Sequence, residues 1–555
     1  MLLLCSEIDS KSAAAPTLDY IFPPALKRGA TSAVTVGGKF DPWPPSGWTD
    51  CSGVTFNAET NTGKFSIRVA EDAPLGPHLL RLYNADGASA PHCFLITREQ
   101  DELEKEPNDN FKQAQVIEKL PTVIAGRLEK NGDTDCFAIK LRAGKWLVAR
   151  VDAFSLGSPV DAVLHLFTEQ GVRIAFNHDS ARSPDPLLAH RVEKSGTYIL
   201  QIAGFVHPPG SEVRYSGSPA TIYRLAITDG PFVEHVFPAG VQRGQKTSLH
   251  LIGWNLGETE ATRQQLFDSS GVAAELEVTN LEVPGLGNPV PIAIGDLPEQ
   301  SEIEPNDTCE QAQLISPPCV VDGRISTAGD EDRFRFNAKK GERLEFRIQS
   351  ASLGFPLEPT LRIADSGGQP LAREEERGLA DPKLTWTAPT NGSYVVAIGD
   401  LFHRGGEDFV YRFLAAPPTP DFKVTAADHA VRLEPGKTHE MKLEITRLNG
   451  QTNRLTIAAE MLPEGVTAKV PEVPAKGGEI KVALMAAPDA KPANQPLRIV
   501  IRSVDSGTPK THPALFDLRG KESSGERLIN QTDQLWLTVL PKPVAASATP
   551  PDTTK

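Results

Sequence analysis

Gly132-Asp133-Thr134-Asp135-Cys136-Phe137-Ala138-Ile139-Lys140-Leu141-Arg142-Ala143-Gly144-Lys145-Trp146-Leu147-Val148-Ala149-Arg150-Val151 decides the fold class of this 555-residue chain. Phe137, Ile139 and Leu141 alternate with other residues, Gly144 marks a turn, and Leu147, Ala149 and Val151 alternate again. Successive side chains of a strand point to opposite faces, so this pattern predicts a β-hairpin with one buried face. Phe334 and Phe336, then Gly341, then Leu344, Phe346 and Ile348 repeat it. The expected fold class is all-β.

Working outward, two units each occur twice. Unit A carries Phe22-Pro23, Arg28-Gly29, Val34, Val36 and Gly38, matched at one constant offset by Phe237-Pro238, Arg243-Gly244, Leu249, Leu251 and Gly253. Unit B begins Glu104-Lys105-Glu106-Pro107-Asn108-Asp109 and contains Gln113-Ala114-Gln115. Its second copy begins Glu302-Ile303-Glu304-Pro305-Asn306-Asp307 and contains Gln311-Ala312-Gln313. The parallel continues through Asp133 and Asp135 with Asp330 and Asp332, Ser155-Leu156-Gly157 with Ser352-Leu353-Gly354, and Asp185-Pro186 with Asp381-Pro382. Gly196 and Tyr198 then match Gly392 and Tyr394, and Tyr223-Arg224 matches Tyr411-Arg412. The order along the chain is A-B-A-B. One short helix is expected in each B unit, after Asn108-Asp109 or Asn306-Asp307, from apolar residues at 111, 114 and 117 or 309, 312 and 315. From about Ala416, alternating apolar residues separated by Gly/Pro turns predict an immunoglobulin-like sandwich.

Composition narrows the partners. Asp and Glu number 71 against 57 Lys and Arg, a net charge of −14, which argues against a phosphate-backbone binder and hence against nucleic acid. No apolar run approaches the roughly 18 residues of a membrane-spanning helix. The 45 glycines and 47 prolines suit short strands joined by tight turns. Met1 to Cys5 is apolar but shorter than a signal core, and Ala13-Ala14-Ala15-Pro16 resembles the small-residue stretch that follows one, so an incomplete export signal is expected. Cys51 with Cys93, and Cys309 with Cys319, are open to pairing or to burial as free thiols.

With Glu-Pro-Asn-Asp, Gln-Ala-Gln, Gly-Asp-x-Asp-x-Phe, Gly-x-Tyr and Tyr-Arg in order, the B units resemble the bacterial pre-peptidase C-terminal (PPC) domain over residues 101–229 and 299–415. That family comprises secreted β-sandwich modules, with the collagen-binding modules of bacterial collagenases among its relatives. The A units, with their Phe-Pro start, Arg-Gly turn and Ala73-Pro74-Leu75-Gly76, are similar to the TIG type of Ig-like domain. Together these imply tandem Ig-like and jelly-roll-like sandwiches in a multidomain chain. The expected divisions are a leader (1–15), TIG-like (16–100), PPC-like (101–229), TIG-like (230–298), PPC-like (299–415) and Ig-like (416–541) units, and a disordered tail (542–555).

The sharpest chemical candidates are Glu104, Glu106, Asn108, Asp109, Asp133 and Asp135, and their counterparts Glu302, Glu304, Asn306, Asp307, Asp330 and Asp332. Ca²⁺ takes six to eight oxygens from carboxylates and carbonyls. Gathered in one place, these acids would repel one another, and a cation would relieve that repulsion. The collagenase relatives use equivalent positions for calcium, which implies one Ca²⁺ per B unit. Against this, Asn108 and Asp109 are suited to capping the helix, and Asp133 and Asp135 to a solvated turn. Lys105 weakens the first site. In the second, Ile303 replaces it and Glu331 adds an acid.

No Gly-x-Ser-x-Gly elbow, His-Glu-x-x-His helix or phosphate-binding loop occurs. His178 beside Asp179, and His235 in a strand, read as surface or packed residues, and Trp43, Trp48 and Trp254 as packing residues. The function expected is a non-catalytic, exported binding or adhesion protein at the cell surface or in the periplasm, a row of sandwiches facing an extracellular protein or polysaccharide. The competing expectations are an accessory subunit or remnant of a secreted peptidase, and a hydrolase using carboxylate chemistry.

Overall fold

A computed structural model describes residues 14–180, 183–206, 215–274, 276–281, 290–375, 381–504, 509–522 and 525–542. Nearly all of the expected leader and tail lies outside them. The described chain is all-β, a series of two-sheet sandwiches whose only helices are four single 3-10 turns.

In the first B unit one five-stranded sheet runs Glu102–Leu103, Thr122–Arg127, Ile222–Thr228, Trp146–Asp152, Leu187–Arg191. Its mate runs Gln115–Ile117, Thr134–Leu141, Gly196–Gly204, Ala162–Thr168, Arg173–Asn177. The second B unit repeats both orders, with Cys319–Arg324, Val410–Ala416 and Arg343–Gln349 in one sheet and Glu331–Ala338, Gly392–Asp400 and Pro359–Asp365 in the other. Phe137, Ile139, Leu141, Leu147, Ala149 and Val151 all face the first core, and Phe334, Phe336, Leu344, Phe346 and Ile348 the second.

Several repeated residues have matching structural jobs. Asp185 accepts hydrogen bonds from the amides of Ala153, Phe154 and Ser155, and Asp381 from those of Ser350, Ala351 and Ser352, so each tethers a 3-10 turn to the opposite loop. Tyr198 and Tyr394 donate to the carbonyls four residues before them, Lys194 and Thr390. Arg224 makes a two-pronged pair with buried Asp101 at 2.7 and 3.0 Å, and Arg412 does the same with Glu299 at 2.6 and 2.9 Å. Each pair pins the chain where it enters a B sandwich.

The helices expected after Asn108-Asp109 and Asn306-Asp307 do not form. Turns carry the chain to Gln115–Ile117 and Gln313–Leu314, which pair parallel with Phe137–Ile139 and Phe334–Arg335. The Gln115 and Gln313 side chains accept from the amides of Lys105 and Ile303, locking this excursion to the Glu-x-Glu segment. Val116 and Leu314 point outward while Ile117 and Ile315 are buried, which is strand alternation. Apolar residues three apart fitted both patterns, and tertiary pairing decided between them.

The A units and the last unit are also sandwiches. The first A unit pairs a four-stranded with a five-stranded sheet around Ile21, Val34, Phe65, Leu80 and Phe94, and the second pairs two three-stranded sheets around Val236, Leu249 and Ile292. The last packs sheets built on Thr438–Leu448 and Ala493–Ser503 around Met441, Leu484 and Leu537. No disulfide joins the described cysteines.

Contacts between sandwiches replace the expected row with a closed path. Asn255 of the second A unit exchanges two hydrogen bonds with the backbone of Trp146, and Trp254 packs on the Trp146 ring. Phe355 of the second B unit packs on His235 with Ala239 and Val410. Lys383 donates to Asn449 of the last unit. The last unit then meets the first. Fully buried Arg81 donates to the carbonyls of Ser89 and Gln534 and to His429, while Trp48 and Tyr83 pack against Trp536. Leu518 joins Leu79 and Cys93 in a small apolar cluster at the same junction.

Candidate functional site: two duplicated carboxylate clusters

The Glu-x-Glu segment lies along the edge of one sheet of each B sandwich, while Asp133 and Asp135, or Asp330 and Asp332, open a strand of the other. The cluster therefore bridges the two sheets at one end of the sandwich. Glu104 Oε1 accepts from the Arg127 amide at 2.8 Å, and Glu302 Oε1 from Arg324 at 2.9 Å. Glu106 and Glu304 accept from the amides of Asn108 and Asn306, both at 3.0 Å. The Asn108 carbonyl accepts from Cys136 N and the Asp109 carbonyl from the Thr134 hydroxyl, drawing the two acidic segments together. Asp133 and Asp330 each accept from a backbone amide four residues upstream.

Tyr223 and Tyr411 complete the clusters. The Tyr223 hydroxyl lies 2.5 Å from Asp135 Oδ2 and 3.0 Å from Glu104 Oε2. Tyr411 lies 2.6 Å from Asp332 Oδ2 and 3.3 Å from Glu302 Oε2. Each phenol has one proton for two carboxylates. The ring passes so close to the neighbouring strand that a Cβ on Gly126 or Gly323 would stand 2.2 or 2.3 Å from it, so only glycine fits there.

All six expected residues of each copy share this end of the sandwich. Ligand oxygens of Glu104, Glu106 and Asp135 converge within 4.8 Å, as do those of Glu106, Asp109 and Asp133, with Glu106 common to both groups; Glu302, Glu304 and Asp332 repeat the first group. Neither competing expectation for these residues holds. No helix is present to be capped, and Asp133 and Asp135 are 2% and 0% exposed, not solvated. Asn108 and Asn306 are fully buried, yet none of their side-chain polar atoms has a hydrogen-bond partner. Asp133 Oδ1, Asp135 Oδ1 and Asp332 Oδ1 are likewise buried without one.

Burial and mutual repulsion raise the proton affinity of the acids. Burial, then the charge of Glu104, pushes Asp135 up to about 10, and burial, then Glu302, does the same to Asp332. Burial pushes Glu104 and Glu302 up to about 7. Glu106, Asp133 and Glu304 are raised by burial first and neighbouring carboxylates second. Asp307 is raised chiefly by its contact with Asp330.

The donor set, oxygens from carboxylates and an amide with no nitrogen or sulfur ligand, fits a hard cation such as Ca²⁺. Lys130, 3.9 Å from Asp109, is the lysine that approaches the first site. Glu331 does not join the second, because Arg333 and Arg362 pair with it. Sequence reasoning noted Tyr223 and Tyr411 as landmarks but assigned them no part in the site. In comparison with known proteins, no family model matches the chain and no curated protein matches it.

Proposed function

We propose that the chain is an exported, non-catalytic binding or adhesion protein whose two PPC-like sandwiches are each stabilised by Ca²⁺. The observation that carries this reading is the duplicated set of buried oxygens without hydrogen-bond partners at Asn108, Asp133 and Asp135, and at Asn306 and Asp332. A buried acceptor with no donor costs about 1–3 kcal/mol. Asp135 and Asp332 take part directly, together with the half-exposed Glu104 and Glu302 and the exposed Glu106 and Glu304 that close over them. The cation supplies the positive charge that the cluster lacks, and by binding only the folded state it stabilises the end of the sandwich where each A unit joins its B unit.

The resemblance to secreted accessory modules supports export and an extracellular protein or polysaccharide as ligand. Calcium then acts on binding indirectly, by keeping the sandwich surfaces in fixed relation. The test is a screen of the full chain against extracellular matrix proteins and polysaccharides in millimolar calcium and in chelator. Calcium-dependent retention on a ligand is expected. Retention that chelator leaves unchanged, or none on any ligand, would contradict the reading.

A further inference from the structure

We propose a second, chemically different cation site in the first B sandwich, at Asp161, His178 and Asp179, which takes a borderline divalent transition metal of the Zn²⁺ class. Asp161 immediately precedes the strand Ala162–Thr168, and His178 and Asp179 follow the strand Arg173–Asn177 that pairs with it. Ligand atoms of the three lie within 4.8 Å of one another. The site lies at the same end of the sandwich, two strands over from Asp133 and Asp135, and uses none of the residues of the calcium clusters.

An ordinary ion pair does not account for the geometry. His178 Nε2 is 2.8 Å from Asp161 Oδ1, yet this buried nitrogen makes no hydrogen bond, because the oxygen lies off the direction in which an N–H would point. Asp161 is 9% exposed, and its other oxygen, Oδ2, is buried with no hydrogen-bond partner. On the far side of the ring, Nδ1 is 3.4 Å from Asp179 Oδ2. A carboxylate on one ring nitrogen holds the proton there and turns the other nitrogen's lone pair outward, as around metal-bound histidines. Here Asp161 Oδ1 sits beside that lone pair and not along it, which leaves the lone pair to a cation that the Asp161 carboxylate can share. The ring is held in place by Phe205, whose centroid is 4.8 Å away and whose amide donates to the Asp161 carbonyl at 2.7 Å.

The duplicated sandwich shows the alternative. Its Leu401 amide donates to the Glu358 carbonyl as Phe205 does to Asp161, so Glu358 occupies the equivalent position. There Arg404 supplies the positive charge from within, binding Asp400 at 2.9 and 3.0 Å and reaching to 3.9 Å from Glu358. Among the described residues the first sandwich has a histidine at this corner where the second has that guanidinium. One imidazole nitrogen and the Asp161 carboxylate, with Asp179 orienting the ring from behind, match Zn²⁺ and Co²⁺ better than Ca²⁺.

The test uses the full chain in saturating calcium, so that the carboxylate clusters are filled. Zn²⁺ titrated by calorimetry at pH 7.5 should bind at one additional equivalent, and Co²⁺ should give a visible absorption band that Zn²⁺ displaces. Asp179→Asn should weaken binding about 10–100-fold. His178→Ala and the isosteric Asp161→Asn should abolish both signals while keeping the calcium response of the wild type. If Zn²⁺ binding is absent, or is the same in His178→Ala and Asp161→Asn as in the wild type, the proposal is wrong. A loss of stability in His178→Ala that is equal with and without Zn²⁺ would mark an imidazolium held between two carboxylates, and would also overturn it.

Discussion

The Tyr223 hydroxyl stands 2.5 Å from Asp135 Oδ2, and its partner in the duplicate, Tyr411, stands 2.6 Å from Asp332 Oδ2. The phenol proton is thereby placed between a buried carboxylate and a half-buried one in each sandwich, Asp135 with Glu104 and Asp332 with Glu302. The cluster is built to be short of positive charge.

Removing that proton donor should therefore hurt most when no cation is present. Tyr223→Phe keeps the ring over Gly126 but leaves Asp135 and Glu104 facing each other. We expect a loss of about 1–3 kcal/mol in chelator, from the unsatisfied buried acceptors, and a smaller loss in millimolar calcium. Urea denaturation under both conditions measures the difference. An equal loss in both would mean that the hydroxyl matters only for packing.

The raised proton affinities set a pH dependence whose sign differs with and without calcium. Glu104 and Glu302 titrate at about 7 and Asp135 and Asp332 at about 10 in the folded chain, against ordinary values near 4 when unfolded. Above pH 4 the unfolded chain binds fewer protons than the folded one. The contribution of these groups to stability in chelator should therefore be full below about pH 4 and fall as pH rises through 7 toward 10. Calcium competes with those protons, so the stabilisation it confers should grow between pH 5.5 and 8. Thermal melts across that range, with and without calcium, test it; a calcium increment that does not change with pH would contradict it.

Closure of the chain onto itself rests on Arg81. Arg81→Leu leaves the carbonyls of Ser89 and Gln534 without their donor at a buried junction, at about 1–3 kcal/mol for each. The variant should open the contact between the first and last sandwiches, raise the radius of gyration in small-angle scattering, and speed proteolysis near Pro417-Pro418. A scattering curve that superposes on the wild type's would show that the junction holds without it.

The contrast between Arg81 and Phe137 shows what a sequence can carry. Alternation at Phe137, Ile139 and Leu141 is a local signal, and a strand with one buried face is its direct consequence. The acidic motifs were equally legible, because they recur in one order at nearly one spacing. Tyr223 is 88 residues from Asp135, and only the sheet pairing of its strand shows which way the phenol points. Arg81 and His429 are 348 residues apart, and no local pattern marks an arginine for complete burial between sandwiches. The helices expected at 111–117 and 309–315 failed for a related reason. A spacing of three serves a turn leading into a strand as well as a helix, and Gln115 and Gln313 settle it by binding the backbone ten residues earlier.

The calcium response of the melting temperature tests the central claim most directly. At a calcium concentration about 100-fold above Kd, one native-state site contributes about 2.7 kcal/mol. Millimolar calcium should raise the melting temperature of the wild type by several degrees, chelator should reverse the gain, and magnesium should do less because its small octahedral shell fits crowded carboxylates poorly. The double variant Glu106→Gln, Glu304→Gln should lose most of the gain while melting, in chelator, at the wild-type temperature or above it, since repulsion falls too. A wild type whose melting temperature calcium leaves unmoved would contradict the account, and the acidic motifs would then be structural turns and nothing more.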